Sequence, residues 1–226
     1  MYALLDTSHD LAIASQELGC PTGQLFSPLN GFLPKDGMEL CGIDNAGFKG
    51  FDARAFERKL ERLAHVKHLC KFVAAPDVIV IGPHGPVGDA RRTLEVFEHW
   101  YPRICDWPIA LVAQDGQEHL PLPWDLISAV FIGGSTKWKL SHHAAAIIKA
   151  AKAMDKWAHV GRVNTPGRFE YFEELGADSI DGTGLSQYTW MRKRIYEAAT
   201  RPTLFTDQQF TSTETEGLEE VLDVVA

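Results

Sequence analysis

The chain has 226 residues, of which 45% are hydrophobic and 23% charged, a composition typical of a globular protein that buries one sizeable core. Its formal net charge of −8 argues against a surface that binds nucleic acid all over, because Lys and Arg dominate phosphate affinity, but it leaves room for a local basic face. No apolar run approaches the roughly 20 residues of a membrane span, and the N-terminus lacks the order of a signal peptide. We therefore expect a cytoplasmic protein that does not contact a membrane.

The cysteines are widely spaced, with no CxC or CxxC pair among the four of them. Neither a zinc knuckle nor a redox motif can be built from them, so buried free thiols are the simpler interpretation. No histidine cluster joins them. The sequence therefore predicts no metal and no other cofactor.

The predicted elements begin with an irregular segment, residues 1–38, in which glycines and prolines indicate turns around one or two short strands. From residue 39 onward, short apolar runs alternate with helical patterns. In chain order the predicted strands lie within residues 40–44, 70–77, 108–116, 129–135, 158–163 and 177–180, and the predicted helices span 53–65, 89–100, 142–154 and 166–175. A Gly/Pro loop, residues 82–88, precedes the second helix.

This alternation predicts βα units around a parallel sheet. Their number, six clear strands plus a vague start, favours a compact (β/α)8 TIM barrel over a small doubly wound sheet. We expect one domain over residues 1–226, with an acidic C-terminal tail at 207–226 and an incomplete or irregular first or last unit. One further strand, near Leu204 and Phe205, is poorly signalled.

Polar residues and glycines follow the predicted strands at the points where each strand ends. They are Asp44, Asp77, Gln114, Gly133, Gly134, Gly161 and Asp181. The carboxyl ends of the strands of a (β/α) barrel converge on one mouth, so these residues are expected to share a pocket. That pocket would hold three carboxylates, one carboxamide and a Gly-Gly backbone.

Such a pocket fits the chemistry of a purine nucleoside. A carboxylate can accept hydrogen bonds from N1–H and the exocyclic amine of guanine, while a carboxamide or a glycine N–H donates to O6. A further carboxylate can attack C1′ as the base leaves, which gives a covalent glycosyl intermediate. Two aspartates would then divide the roles of nucleophile and general acid/base.

Three positions leave alternatives open. Gln114 competes with Asp115, since strand alternation lets one of them face inward, and we favour Gln114. The Gly133-Gly134 pair suits a phosphate cradle as well as a base-reading backbone. Asp178 competes with Asp181 for the nucleophile, but a period of two places Asp181 at the strand end on the inner face.

Four motifs in series resemble the queuine/archaeosine-type tRNA-guanine transglycosylases. DNAGF at Asp44 resembles their DSGGF, VAQDG at Gln114 their VQGG, FIGGS at Gly133 their IGG(L/F), and residues 161–183 their GVGTP…DxFDC run. The resemblance covers roughly residues 39–185. It implies a (β/α) barrel that exchanges guanine for a 7-deazaguanine base.

Carried over by position, the resemblance implies a role for each matching residue. Asp181 would be the nucleophile and Asp44 the general acid/base. The base would be read by Asp77, Gln114, Gly133 and Gly134, and the pocket lined by Val160 and Gly161.

The chain departs from the tRNA enzymes after the nucleophile. Their CxCxxC…H zinc segment is absent, since residues 184–226 contain no cysteine and no histidine, and Gly182-Thr183 replaces a Cys and an apolar residue. The short, zinc-free form resembles phage-type and bacterial relatives that insert 7-deazaguanines into DNA, where the target base must be flipped out. DNA is therefore favoured over tRNA as the partner, and the oligomeric state stays open.

Positive charge is concentrated in the C-terminal half and supplies candidate contacts to nucleic acid. The candidates are Lys137, Trp138, Lys139, Arg162, Arg192, Lys193 and Arg194. Trp138 lies between two lysines in a predicted βα loop, where an indole could stack on a base. The alternative is that these are solvated helix faces.

Two other functions fit the same barrel. A phosphate-binding barrel enzyme or glycosidase could use Gly133-Gly134 for a small nucleoside or nucleotide. A catalytically silent subunit could hold nucleic acid or a partner barrel, although the presence of both Asp44 and Asp181 argues against it.

Overall fold

The computed structural model describes residues 1–6, 10–82 and 85–200. In chain order the elements are β1 (Tyr2–Leu5), α1 (Leu11–Leu18), β2 (Thr22–Phe26), β3 (Cys41–Ile43), α2 (Ala53–Leu63), β4 (Cys70–Ala74), β5 (Ile79–Gly82), β6 (Gly85–Gly88), α3 (Ala90–Ile104), β7 (Ile109–Ala113), β8 (Ala129–Ile132), α4 (Thr136–Lys139), α5 (His142–Ala153), β9 (Trp157–Val160), α6 (Pro166–Glu174), β10 (Ser179–Asp181), α7 (Thr183–Gln187) and α8 (Thr189–Ala199).

Eight strands form a closed barrel in the order β1-β10-β9-β8-β7-β4-β3-β2, and every pair in it is parallel. The barrel closes where β1 pairs with β10, with Leu4 opposite Asp181. Helices follow the strands and cover the outside, which confirms the predicted α/β TIM barrel. The six predicted strands and four predicted helices coincide with β3, β4, β7 to β10, α2, α3, α5 and α6.

Residues 1–38 contain two short strands, as predicted, and these are the first two strands of the barrel. The prediction missed α1, whereas residues 27–38 do lack helix and strand. Asp10 caps α1 by accepting a hydrogen bond from the N–H of Ala12, and Gly19 ends the helix in the left-handed region at φ 69°. The strand predicted near Leu204 and Phe205 and the acidic tail at 207–226 lie outside the described residues.

The predicted Gly/Pro loop at 82–88 is mostly strand. β5 and β6 form an antiparallel hairpin in which Val80 pairs with Val87. This hairpin is inserted between β4 and α3, so it stands beside the carboxyl end of β4.

The alternation of side chains along the strands divides the core into two layers. Inside the barrel lie Leu4, Leu25, Leu40, Phe72, Ala74, Ala110, Val112, Ala129 and Phe131. The larger layer packs between strands and helices and includes Ile43, Val73, Leu111 and Val160. Val160 is therefore fully buried toward the helices, and the expectation that it lines the pocket is wrong.

Within residues 1–6, 10–82 and 85–200, no helix combines the length and the apolar character that crossing a lipid bilayer requires.

Candidate functional site

The carboxyl ends of the barrel strands surround a pocket of about 350 Å³. Its lining includes seven of the residues singled out from the sequence, namely Asp44, Asp77, Gly133, Gly134, Gly161, Arg162 and Asp181. Asp6, which follows β1, adds a fourth carboxylate that was not predicted. Residues separated by more than half of the chain, such as Asp44 and Asp181, therefore meet at this mouth, as their positions at strand ends predict.

Asp181 ends β10 and has both carboxylate oxygens engaged. Oδ1 accepts a hydrogen bond from the N–H of Arg162 at 2.6 Å, and Oδ2 lies 3.4 Å from Nε2 of His159. Burial by itself would raise the pKa of Asp181. The hydrogen bond and electrostatic attraction from His159, together with the Arg162 N–H and Lys139, outweigh burial and hold the pKa below its usual value.

Asp44 follows β3, and its own N–H donates to the carbonyl of Phe26 at 2.8 Å. Burial, then the negative charges of Asp181 and Asp77, raise the pKa of Asp44 from 3.8 to about 7. Below neutrality the pocket therefore holds a protonated carboxylic acid at Asp44 near an ionised carboxylate at Asp181. Two carboxyl groups with separated pKa values are suited to acid and nucleophile roles.

Asp77 is held by the segment that follows Asp44. The side-chain nitrogen of Asn45 donates to the carbonyl of Ala75 at 2.6 Å and to Oδ1 of Asp77 at 3.1 Å. Gly47 passes so close that a Cβ there would lie 2.2 Å from the same oxygen. Burial raises the pKa of Asp77, and the hydrogen bond from Asn45 partly offsets this. The DNAGF motif thus fixes a second carboxylate as well as supplying one.

Two residues of the pocket wall have strained backbones. Ala46 and Arg162 adopt φ values of 61° and 60°, in the left-handed region that residues with a Cβ rarely enter. Such strain persists where surrounding contacts impose it, and it is concentrated at functional sites. Here Arg162 is tied to Asp181 through its N–H and to the carbonyl of Gly134 through its guanidinium.

Gln114 does not line the pocket, so its prediction as a base reader is wrong. It is completely buried, and its amide nitrogen donates to the carbonyl of Val78 at 2.9 Å and to Oγ1 of Thr93 at 2.5 Å. The neighbouring Asp115 accepts hydrogen bonds from the N–H and hydroxyl of Ser135. Strand alternation fails as a guide here because β7 ends at Ala113, one residue earlier.

Trp138 and Lys139 are wrong as nucleic-acid contacts, because α4 turns both inward. Trp138 is 7% exposed, and its indole N–H donates to Glu118 at 2.8 Å. Lys139 is 3% exposed, and its ammonium donates to the carbonyl of Gly161 at 2.5 Å. Burial and the nearby charge of Arg162 lower the pKa of Lys139 to about 7. Lys137 is exposed and does not line the pocket.

Arg192 is also wrong as a nucleic-acid contact, because it is a buried structural residue at 2% exposure. Its guanidinium donates to Glu17 and to the carbonyl of Leu185, each at 2.6 Å, and so ties α8 to α1 and α7. The neighbouring Lys193 and Arg194 are exposed on α8 and lie outside the pocket lining.

This buried ion pair gives a stability prediction. Arg192→Ala leaves the carboxylate of Glu17 and the carbonyl of Leu185 without their donor, so the free energy of unfolding is expected to fall by about 3 kcal/mol. Chemical denaturation measures the change, and Arg194→Ala on the exposed face is the matched control. Equal stability of the two variants would contradict a structural role for Arg192.

His159 is a second residue of the site, besides Asp6, that was not predicted from the sequence. It is completely buried inside the barrel, packed between the tilted rings of Phe72 and Phe131 at centroid distances of 4.5 and 4.6 Å. Its Nδ1 lies 2.8 Å from Oγ of Ser179. The period of two in β9 was a usable signal, because it sets His159 on the opposite face from Val160.

Within the described part of the chain, no three His, Cys, Asp or Glu side chains converge so that they could hold a metal ion. The arrangement instead offers an acid, an ionised carboxylate and backbone groups around one cavity.

No protein-family model matches the chain, and no curated protein matches it. Among solved structures, a mutant mandelate oxidase with benzaldehyde is 13% identical, with a TM-score of 0.47, and the match covers 87% of this chain and 70% of the oxidase. The flavin-binding domain of flavocytochrome b2 from baker's yeast is 12% identical, with a TM-score of 0.47, and the match covers 88% of this chain and 62% of that domain. Malate synthase from Haloferax volcanii is 8% identical, with a TM-score of 0.39, and the match covers 99% of this chain and 79% of the synthase. Similarity at this level carries no information about chemistry.

Proposed function

We propose that this chain is a pentosyltransferase that replaces guanine in nucleic acid, DNA in preference to tRNA, with a 7-deazaguanine. The observation that carries the proposal is the pairing in one pocket of Asp44, whose pKa is raised to about 7, with Asp181, whose pKa is lowered. The motif resemblance supplies the substrate class, and residues 184–226, which contain no cysteine and no histidine, do not match the zinc segment of the tRNA enzymes, which favours DNA.

The proposed reaction has two displacements at C1′. An oxygen of Asp181 attacks C1′, the C1′–N9 bond breaks, and its electron pair passes to the base, which takes the proton of Asp44. The incoming base then attacks C1′ and returns its proton to Asp44. The ester bond to Asp181 breaks, and the carboxylate is restored, so the configuration at C1′ is retained.

Recognition of the base is assigned to Asp77 and Gly134. The carboxylate of Asp77 can accept from N1–H and the exocyclic amine of guanine. The N–H groups of Gly133 and Gly161 are already donated to Ala113 and Ile132 within the sheet. Among the described residues the N–H of Gly134 has no protein acceptor, so it can donate to O6.

The phosphate-binding alternative loses support at the loop after β8. The carboxylate of Asp115 accepts from the N–H of Ser135 at 2.7 Å and from its hydroxyl at 2.6 Å. A phosphate placed on this loop would meet that negative charge and compete for the same donors. The glycines are therefore better suited to a neutral base than to a phosphate.

The direct test incubates the purified chain with labelled guanine and, in parallel, duplex DNA, tRNA or free nucleosides, followed by nucleoside mass analysis. Label is expected in DNA, and a 7-deazaguanine base should chase it out irreversibly. Label in tRNA alone would overturn the DNA assignment. Turnover of free nucleosides with no exchange in either polymer would overturn the proposal and favour a small-molecule glycosidase.

Asp77→Asn tests how the base is read. An amide at this position keeps one acceptor for N1–H but sets an N–H against the exocyclic amine, so kcat/KM for guanine is expected to fall about 10- to 100-fold. For hypoxanthine, which lacks that amine, kcat/KM should change little. Competition between the labelled bases measures the ratio, with exposed Asp125→Asn as the control. An equal loss for both bases would contradict the assignment.

A further inference from the structure

We propose that His159, Ser179 and Trp157 form a hydrogen-bonded chain inside the barrel that positions Asp181 for attack. His159 is the positioning residue of this chain, since it acts on the reacting atoms only through Asp181. The proposal deepens the function given above and rests on it. Its first part, the arrangement of protons along the chain, can be tested without any substrate.

The three side chains come from two adjacent strands. His159 on β9 is paired in register with Ser179 on β10. The indole N–H of Trp157 donates to Oγ of Ser179 at 2.8 Å, and the same oxygen lies 2.8 Å from Nδ1 of His159. Nε2 of His159 then lies 3.4 Å from Oδ2 of Asp181. The chain therefore runs inside the barrel and ends at the pocket.

The donor inventory, together with the negative charge of Asp181, indicates the direction of every bond in this chain. The indole of Trp157 can only donate, so it uses one lone pair of the Ser179 oxygen. The hydroxyl proton of Ser179 is then available to Nδ1 of His159, which leaves the imidazole proton on Nε2, facing Asp181. The opposite tautomer would set a lone pair of Nε2 against an ionised carboxylate.

The surroundings of the ring fix its position. His159 has no exposed surface and lies between the rings of Phe72 and Phe131. The two rings also prevent the imidazole from turning away. Its N–H is thus held toward Oδ2 of Asp181, while the N–H of Arg162 holds Oδ1.

This arrangement has a consequence for both displacements. Contacts to both oxygens restrict rotation of the carboxylate, so it presents one face to C1′. When the ester bond to C1′ breaks, the electron pair returns to the carboxylate beside the His159 N–H, which stabilises the leaving charge. The other charged groups around Asp181 are Asp44, Asp6, Lys139 and Arg162.

The first experiment determines the tautomer of His159 in the full chain labelled with ¹⁵N-histidine. The His159 resonances are identified by their loss in His159→Gln. Long-range ¹H–¹⁵N correlation at neutral pH is expected to show a protonated Nε2 and an unprotonated Nδ1, whereas Ser179→Ala should mix the two forms. A protonated Nδ1 with a bare Nε2 in the wild-type chain would overturn the proposal, whatever the activity of the protein.

The second experiment compares His159→Leu with His159→Gln in base exchange. Leucine removes the donor, and kcat is expected to fall about 10- to 100-fold while the acid limb of the pH profile moves to higher pH, because Asp181 loses a group that stabilises its ionised form. Glutamine places an amide N–H near the position of Nε2 and should recover most of the rate and the original acid limb. KM for the base should stay unchanged in both.

A leucine variant that keeps the wild-type rate and acid limb would overturn the positioning role. So would an equal loss in both variants with an unshifted profile, since that result indicates packing alone. If the wild-type chain exchanges no base on any polymer, the proposed function fails, and the tautomer measurement still decides the hydrogen-bonded chain. The two failures are therefore distinguishable.

Discussion

Asp181→Asn is expected to abolish base exchange, with a loss of at least about 10³-fold in kcat, because an amide cannot form the ester to C1′. Base binding should survive, since Asp77 and Gly134 are untouched. Incorporation of labelled guanine into duplex DNA measures the rate, and equilibrium binding of the base measures the integrity of the pocket. A covalent adduct between the chain and DNA should be detectable for the wild-type protein and absent for the variant.

Asp178→Asn is the matched control for this result. Asp178 lies three residues earlier, next to β10, and points to the outside of the barrel, where it pairs with Lys152 at 2.6 Å and accepts from the N–H of Ala158 at 2.8 Å. Its loss should lower stability without lowering the rate per folded molecule. Normal exchange by Asp181→Asn, or an equal loss in both variants, would contradict the assignment of the nucleophile.

Asp44→Asn is expected to reduce kcat by about 10²- to 10⁴-fold, because the leaving base no longer receives a proton. The wild-type rate should fall as the pH rises through about 7, where Asp44 loses its proton, and it should also fall at low pH as Asp181 becomes protonated. These apparent values belong to the coupled pair of carboxyl groups. In the variant the alkaline limb should disappear, which a pH profile measures directly.

The same substitution has a signed effect on stability. The folded-state pKa of Asp44 is raised above its unfolded value, so between pH 3.8 and about 7 the folded chain binds more protons than the unfolded chain. The folded state therefore loses stability as the pH rises through that window. An asparagine does not ionise, so Asp44→Asn should be more stable than the wild type above pH 7, on the order of 2–4 kcal/mol. The exposed Asp36→Asn is the control, and an unchanged or lowered stability at pH 8 would contradict the raised pKa.

The sequence predicted the barrel well where its elements are regular. Alternating apolar runs and helical patterns located six strands and four helices, because hydrophobic periodicity is a local property that neighbouring residues decide. The strands β1 and β2 were harder to locate, since both are short and β2 lies between turns that contain glycine and proline. Their role becomes evident only when β1 closes the barrel against β10.

The residues of the candidate site also fall into those that the sequence could assign and those that it could not. Asp44, Asp77 and Asp181 could be assigned to one pocket from sequence, because each follows a strand and parallel strands bring their carboxyl ends to the same mouth. Gln114 lies just beyond its strand, where the chain turns and the period of two no longer applies. The directions of Lys139 and Arg192 depend on how their helices pack, and a helical pattern does not contain that information.

What the sequence by itself determined is therefore the order of the elements and the positions of the acidic residues at strand ends, since both depend on local periodicity. Only the tertiary structure decided which of these groups are protonated. The raised pKa of Asp44 comes from burial and from the charges of Asp181 and Asp77, and the lowered pKa of Asp181 depends on His159 from the adjacent strand. Burial and contacts between residues distant in the chain arise only when the barrel closes.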